Sequence, residues 1–234
     1  KPELDLDPKE NSYLDAKNLR HPIIEFVNQN EPYVPNDILI GKENINGYLL
    51  FGVNACGKSS HMKAIGVSLI MAQAGLFVPS TNFTFKPFRY LFTRILSNDN
   101  LYAGLSTFAV EMSEFKIIMK FSDKNSIILG DELCSGTETI DATAIVAAGI
   151  TKLAERKANF IFATHLHYLS NTKYLQHITN VKKVHMSVSI DKKTDRLVYE
   201  RKIKEGSGPS SYGILVCKAM KMDSEFMDLA QEIR

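Results

Sequence analysis

The sequence predicts an α/β domain of the phosphate-loop class, in which short buried strands alternate with helices. Three observations carry this prediction. Three apolar runs, Gly47 to Gly52, Ser126 to Gly130 and Asn159 to Thr164, have the length and the saturation of strands covered on both faces. Segments with helical apolar periodicity lie between them. A glycine-rich break, GVNACGKS (Gly52 to Ser59), separates the first of these strands from the first of these helices. Alternation of this kind points to helices layered on a mainly parallel sheet.

The bulk properties agree with a single domain. At 234 residues and 44% hydrophobic, the chain can bury one sizeable core. A net charge of +2 argues neither for nor against a nucleic-acid partner, because a basic patch can hide in a balanced total. Cys56, Cys134 and Cys217 are odd in number and far apart, with neither zinc spacing nor a disulfide framework. A reducing, intracellular compartment (cytoplasm, nucleus or organelle matrix) is therefore expected. No apolar run has membrane-spanning length, so no membrane partner is expected. The sequence starts at Lys1 without a methionine and stops at Arg234 inside a helical pattern, as a piece of a larger protein would.

Taken in order, Lys1 to Asn30 reads as a loop-rich opening with a short strand around Ile23 to Val27. EPYVPND (Glu31 to Asp37) holds two prolines and is expected to be extended or turned. From Lys58 to Ala74, Met62, Ile65, Leu69, Ile70 and Ala74 recur at helical spacing, and Gly75 is placed to stop that helix. Phe88 to Leu96 reads as a strand and Thr107 to Phe121 as a helix. Asp141 to Lys157 is the clearest helix, alanine-rich and closed by basic residues that suit a carboxyl end. Two alternating stretches, VKKVHMSVSI and RLVYERKI, flank the turn-like DKKTD and predict a hairpin. Residues 210–234 read as two helices broken near Met222 and Asp223, giving an expected division into a domain over 1–209 and a helical segment over 210–234.

The break at Gly52 fits the G-x-x-x-x-G-K-[ST] pattern, and the chemistry explains the spacing. Gly52 and Gly57 let the backbone curl so that successive N–H groups face phosphate oxygens. Lys58 can reach the β- and γ-phosphates, and the Ser59 hydroxyl can ligate Mg²⁺. The helix that follows aims its amino end at the anion. SIILGDE then sets Asp131 and Glu132 at the carboxyl end of an apolar strand, the sheet edge where ligands sit. There Asp131 can hold Mg²⁺, and Glu132 can orient and deprotonate an attacking water. FIFATH ends a third strand with Thr164 and His165 at the same edge, within reach of a γ-phosphate.

Beyond these local patterns, GVNACGKSS, GLSTFAVEMSE, SIILGDELCSGTET, FATHLH and SYGILVCKAM follow one another in a particular order. That order resembles the carboxyl-terminal ATPase domain of the MutS mismatch-repair family. RHPIIE followed by EPYVPND resembles the start of that domain, so the similarity runs from about Asn18 to the end. The resemblance implies a three-layer, ABC-type fold with a small β subdomain and a helical dimerisation segment. It implies ATP or ADP and Mg²⁺ as ligands, a second MutS-like subunit (identical or not), and mismatched double-stranded DNA contacted mostly through modules absent here. It also implies site roles: Asn54 and Ser60 at the phosphates, Tyr33 and Val34 against the nucleobase with His185 on its other side, and Ser106 reaching the γ-phosphate of the partner's site.

The departures from the family pattern are informative. Family members usually read G-P-N-M-G-G-K-S-T, so Val53, Ala55, Cys56 and Ser60 are unusual, and Cys56 stands where glycine is typical. If that position needs φ > 0, a cysteine there carries strain of about a kcal/mol or more, whereas Val53 and Ala55 should be harmless. Cys134 and Ser135 replace a glycine and an arginine after the acidic pair. Such differences suit a divergent branch of organellar or viral kind. Cys56 and Cys134 also fall in segments expected near the nucleotide, where oxidation would matter. The function expected is ATP binding and hydrolysis at composite sites across a dimer, driving conformational change in a DNA clamp. The alternatives are a nucleotide-sensing dimerisation module with little turnover and another ABC ATPase. A transporter subunit would carry L-S-G-G-Q where this chain has STFAVEM.

Overall fold

In the computed structural model, which describes residues 1–7, 11–28, 31–95, 107–134, 136–191, 196–209 and 212–233, the three apolar runs form adjacent parallel strands. These are β4 (Gly47–Phe51), β7 (Ser126–Asp131) and β8 (Asn159–Thr164), with β8 in the middle. β6 (Tyr90–Arg94) adds beyond β7, and β9 (Val181–Asp191) adds in parallel beside β4. β10 (Arg196–Glu205) closes the sheet by pairing antiparallel with β9, as the predicted hairpin requires. The six-stranded order is β10-β9-β4-β8-β7-β6.

Alternation along these strands divides the core between the two faces of the sheet. Leu50, Ile127, Leu129, Ile161 and Ala163 point to one face, where they meet Met62, Ile65 and Leu69 of α2 (Lys58–Gln73). Leu49, Phe51, Ile128, Phe160 and Phe162 point to the other, against Val146, Ile150 and Leu153 of α4 (Thr139–Glu155) and Ile118 of α3 (Thr107–Phe121). The two helices on that face approach closely because Gly149 has no side chain; a Cβ there would lie 2.4 Å from the Phe115 ring. Helix α2 ends as its sequence suggests. Gly75 takes φ +79 and the Leu76 N–H reaches back to Met71 O at 2.9 Å, which satisfies the last carbonyls.

A second, four-stranded sheet covers α2 from the other side. Its order is β1-β5-β2-β3, with β1 (Glu3–Leu4), β2 (Tyr13–Leu19), β3 (Asn36–Ile40) and β5 (Asn82–Lys86). Leu14, Ile38, Ile40, Phe83 and Phe85 from this sheet join the α2 cluster, so the helix is buried between two sheets. The described residues of 1–28 are therefore not a loop-rich opening but carry β1, β2 and a helix. The expected strand at Ile23 to Val27 is also corrected: Pro22–Val27 is helix α1. His21 caps it, its Nδ1 accepting from the Ile23 and Ile24 N–H groups at 3.2 Å, and Pro22 occupies the first turn where a missing N–H costs nothing.

After β8 come a 3₁₀ turn (His167–Asn171) and the short α5 (Lys173–Gln176). The carboxyl end forms α6 (Tyr212–Ala219) and α7 (Ser224–Ile233), broken where expected. Helix α7 buries none of its residues, and Phe226, Leu229 and Ile233 are exposed. Among the described residues, no helix is long and apolar enough to cross a membrane.

Candidate functional site

The sheet register gathers the predicted residues at one edge. Phe51, the last residue of β4, sits beside Thr164 of β8, and Asp131 of β7 sits beside Ala163 on the other side of that strand. The loop after β4 and the acidic pair after β7 therefore emerge on either side of the carboxyl end of β8. This is the crevice position typical of ligand sites in parallel sheets.

Within the loop, backbone chirality does the shaping. Gly57 takes φ +108 and hands the chain to α2, whose first residue is Lys58. Lys58 is only 4% exposed, yet its ammonium is satisfied: Nζ donates to Gly52 O at 2.7 Å and Val53 O at 3.0 Å, and stands 3.8 Å from Glu132 Oε1. The Ser59 hydroxyl donates to Asp131 Oδ2, joining the helix start to the acidic strand end. His165 is exposed, with Nδ1 4.0 Å from Glu132 Oε1. Thr164 is turned inward, its Oγ1 accepting from the Leu166 N–H at 3.0 Å. His167 leaves the edge and stacks on Phe51, with ring centroids 5.4 Å apart. A cleft of about 320 Å³ is lined by Asn54, Lys58, Ser59, Ser60, Asp131 and Glu132, among others.

A second cleft, of about 160 Å³, opens on the other side of the loop and shares Ala55, Gly57 and Ser60 with the first. Tyr33 and Val34 line it. Burial pushes the Tyr33 phenol up to about 12, so it stays protonated. His185 is not brought there. Met186 lines the cleft instead, and successive strand residues face opposite ways, which sets His185 on the other face of β9. Its Nδ1 lies 3.0 Å from Gly206 O.

Three cleft residues carried no signal in the sequence. Asn36 ties the cleft wall together, its Nδ2 donating to Arg201 O and its Oδ1 accepting from Ile203 N, both at 2.9 Å. Arg201 enters because β10 shifts register between Tyr199 and Ile203, with Arg201 at φ +55; its guanidinium is 3.5 Å from Glu31. His61, one turn into α2, lines the same cleft. Ser106, expected to act in the partner's site, and Ser135 lie outside the described residues.

The expectation of strain at Cys56 is corrected. Cys56 is absent from the residues of positive φ; it is fully buried in the cluster that holds Met62 and Met186. Its neighbour Ala55, expected to be harmless, takes φ +64. In the acidic loop, Glu132 takes φ +48 and Cys134 φ +62. The Glu132 N–H donates to Ala163 O at 2.9 Å, and the Cys134 N–H to the buried carboxylate of Glu111 at 2.7 Å. Burial pushes both thiols up, that of Cys134 to about 11 with help from Glu111, which is the condition of an unreactive cysteine.

Comparison with known proteins bears on the same residues. Residues 48–234 match the family described as MutS domain V. The chain is 36% identical, over 95% of its length, to a putative DNA mismatch repair protein mutS homolog of Acanthamoeba polyphaga mimivirus, of which it covers 23%. It is 41% identical, again over 95% of its length, to a mitochondrial DNA mismatch repair protein mutS homolog of Sarcophyton glaucum, of which it covers 22%. To the DNA mismatch repair protein MutS of Staphylococcus haemolyticus it is 37% identical over 96% of its length and 25% of that protein. The chain thus spans about a quarter of the length of the curated relatives it matches.

Proposed function

The chain belongs to the MutS family of DNA mismatch-repair proteins, as its domain V, and from that premise we propose that it binds Mg²⁺·ATP and hydrolyses it. The observation that carries this reading is the convergence of Lys58, Ser59, Asp131 and Glu132 at one sheet edge, in one cleft. In this reading the domain is a P-loop ATPase of ABC type with its helices and sheets in layers. Its site is completed by a second MutS-like subunit through Ser106 of that subunit. ATP-driven closure then acts on mismatched DNA held by other parts of the assembly.

Each side chain has a role its position supports. Lys58 stands at the base of the loop, 3.8 Å from the Glu132 carboxylate, and it would exchange its bonds to the Gly52 and Val53 carbonyls for β- and γ-phosphate oxygens. Asn54 and Ser60 flank the same cleft. The residues fit a magnesium ion: the Ser59 hydroxyl and the Asp131 carboxylate already meet, and both offer the hard oxygen ligands that such a cation takes. When bound, Mg²⁺ would neutralise negative charge on the phosphates. Glu132 orients the attacking water and accepts its proton, and His165, 4.0 Å from that carboxylate, would reach the γ-phosphate from the same sheet edge. Tyr33 and Val34 hold the base, with Arg201 placed to lay its planar guanidinium against it.

The test is Glu132→Gln, which keeps shape and removes the base. ATP affinity should be retained while steady-state turnover falls about a hundredfold or more. Unchanged turnover in that variant would sink the assignment.

A further inference from the structure

Helix α2 carries, one turn beyond the phosphate loop, a polar ring that the rest of the described residues leave unpartnered. His61 is 2% exposed, and neither ring nitrogen has a hydrogen-bond partner among the described residues. Buried polar groups are almost always paired, so an orphaned one calls for a reason. Two other polar side chains of its cleft have partners: Asn36 bridges Arg201 and Ile203, and Arg201 faces Glu31. His61 is buried without one among the described residues, and it lines the cleft beside Tyr33 and Val34.

We propose that His61 reads the edge of the nucleobase in this cleft, a specificity contact that rests on the reading of the phosphate loop as a nucleoside triphosphate site. The chemistry selects the uncharged part of the ligand. An imidazole ring offers an N–H donor and, in its neutral form, a lone-pair acceptor. That pairing suits the alternating amino, keto and ring-nitrogen groups along a purine edge. It does not suit a phosphate, whose oxygens only accept and which the cationic Lys58 and the loop N–H groups serve better. The geometry agrees: Tyr33 supplies an aromatic wall and Met186 a polarisable one, both suited to a flat heterocycle.

Calorimetric titration of the chain with ATP and with inorganic tripolyphosphate separates base from phosphate recognition. His61→Phe keeps a planar ring and removes the nitrogens. It should weaken ATP about threefold to tenfold and leave tripolyphosphate unchanged. In the wild-type chain, the ¹⁵N resonances of the His61 imidazole should move on adding ATP and stay fixed on adding tripolyphosphate, a readout that does not depend on the variant folding. An unaltered ATP affinity in His61→Phe, an equal loss for both ligands, or ¹⁵N shifts common to both overturns the proposal; the last is also what a buried water on the ring would give. Lys58→Ala separates this inference from its premise. If that change spares both ligands, the phosphate-loop reading fails. If it weakens both while His61→Phe alters neither, the His61 contact alone is wrong.

Discussion

Acidification should unfold this chain partly through His61, and the size of the effect follows from its surroundings. The ring is buried with both nitrogens unpartnered among the described residues, and burial alone lowers its pKa from 6.5 to about 4. In the folded chain the imidazole therefore stays neutral while the unfolded chain takes up a proton. The sign is fixed: the stability this preserves is fully present above the unfolded pKa, falls as the pH drops through it, and levels off below the folded pKa. The whole loss is about 3 kcal/mol, and about 2 kcal/mol of it is reached near pH 5. Other groups titrate over the same window, so the measurement must be a difference. Urea midpoints of wild type and His61→Phe at about pH 7.5 and about pH 5, without nucleotide, isolate it, because the phenylalanine keeps the ring and cannot charge. The wild type should lose about 2 kcal/mol more than the variant between the two conditions, or about 4–8 °C in Tm. Parallel losses would refute the reasoning, since they would mean that the ring is solvated or paired and its pKa is ordinary.

The loop backbone gives two further expectations of opposite sign. Ala55 is exposed and left-handed, so Ala55→Gly should raise stability by about 0.5–1 kcal/mol in the same urea assay. Cys56→Gly, although it restores the residue typical of the family, should lower stability by about 2 kcal/mol through a lost buried side chain and a freer backbone. Thiol labelling with a chromogenic disulfide should modify the half-buried Cys217 first, and reach Cys56 and Cys134 only with denaturant; three thiols reacting together would contradict their burial.

How much of this was legible in the sequence depends on what each signal encodes. The strands of the large sheet could be read because saturated runs such as NFIFAT state their own burial, and Lys58, Ser59, Asp131 and Glu132 followed because each stands at the end or start of such an element. The small sheet was hidden. β2 (YLDAKNL) breaks its alternation with Lys17 and Asn18, has a register shift after Ala16, and buries Leu14 against partners far along the chain. Helix α1 was misread because Ile23, Ile24 and Val27 favour strands in general, while the His21–Pro22 cap was the stronger local instruction. In the second cleft, the question of His185 or Met186 is one of parity along β9. A slip of one residue exchanges the two faces, and the pairing of β9 with β4 that fixes the parity is a tertiary fact.

The two cysteines that replace glycine show why a departure from a family pattern cannot be priced from its residue type. In the sequence Cys56 and Cys134 look like equal faults. In the fold, only Cys134 occupies a left-handed conformation, while Cys56 contributes a buried thiol to the core beneath the loop. Three of the left-handed residues that are not glycine, Ala55, Glu132 and Cys134, fall in the phosphate loop and the acidic loop. Each such residue costs on the order of 1 kcal/mol or more and persists only where its surroundings hold it. For the acidic loop the holders are identifiable. Ala163 O fixes the Glu132 N–H, and the Glu111 carboxylate, brought from α3 and buried, fixes the Cys134 N–H. Glu111 thus braces the acidic loop from outside its own strand, two residues beyond Glu132. The carboxylate assigned to water therefore stands in a loop whose left-handed turn another carboxylate, from helix α3, holds in place.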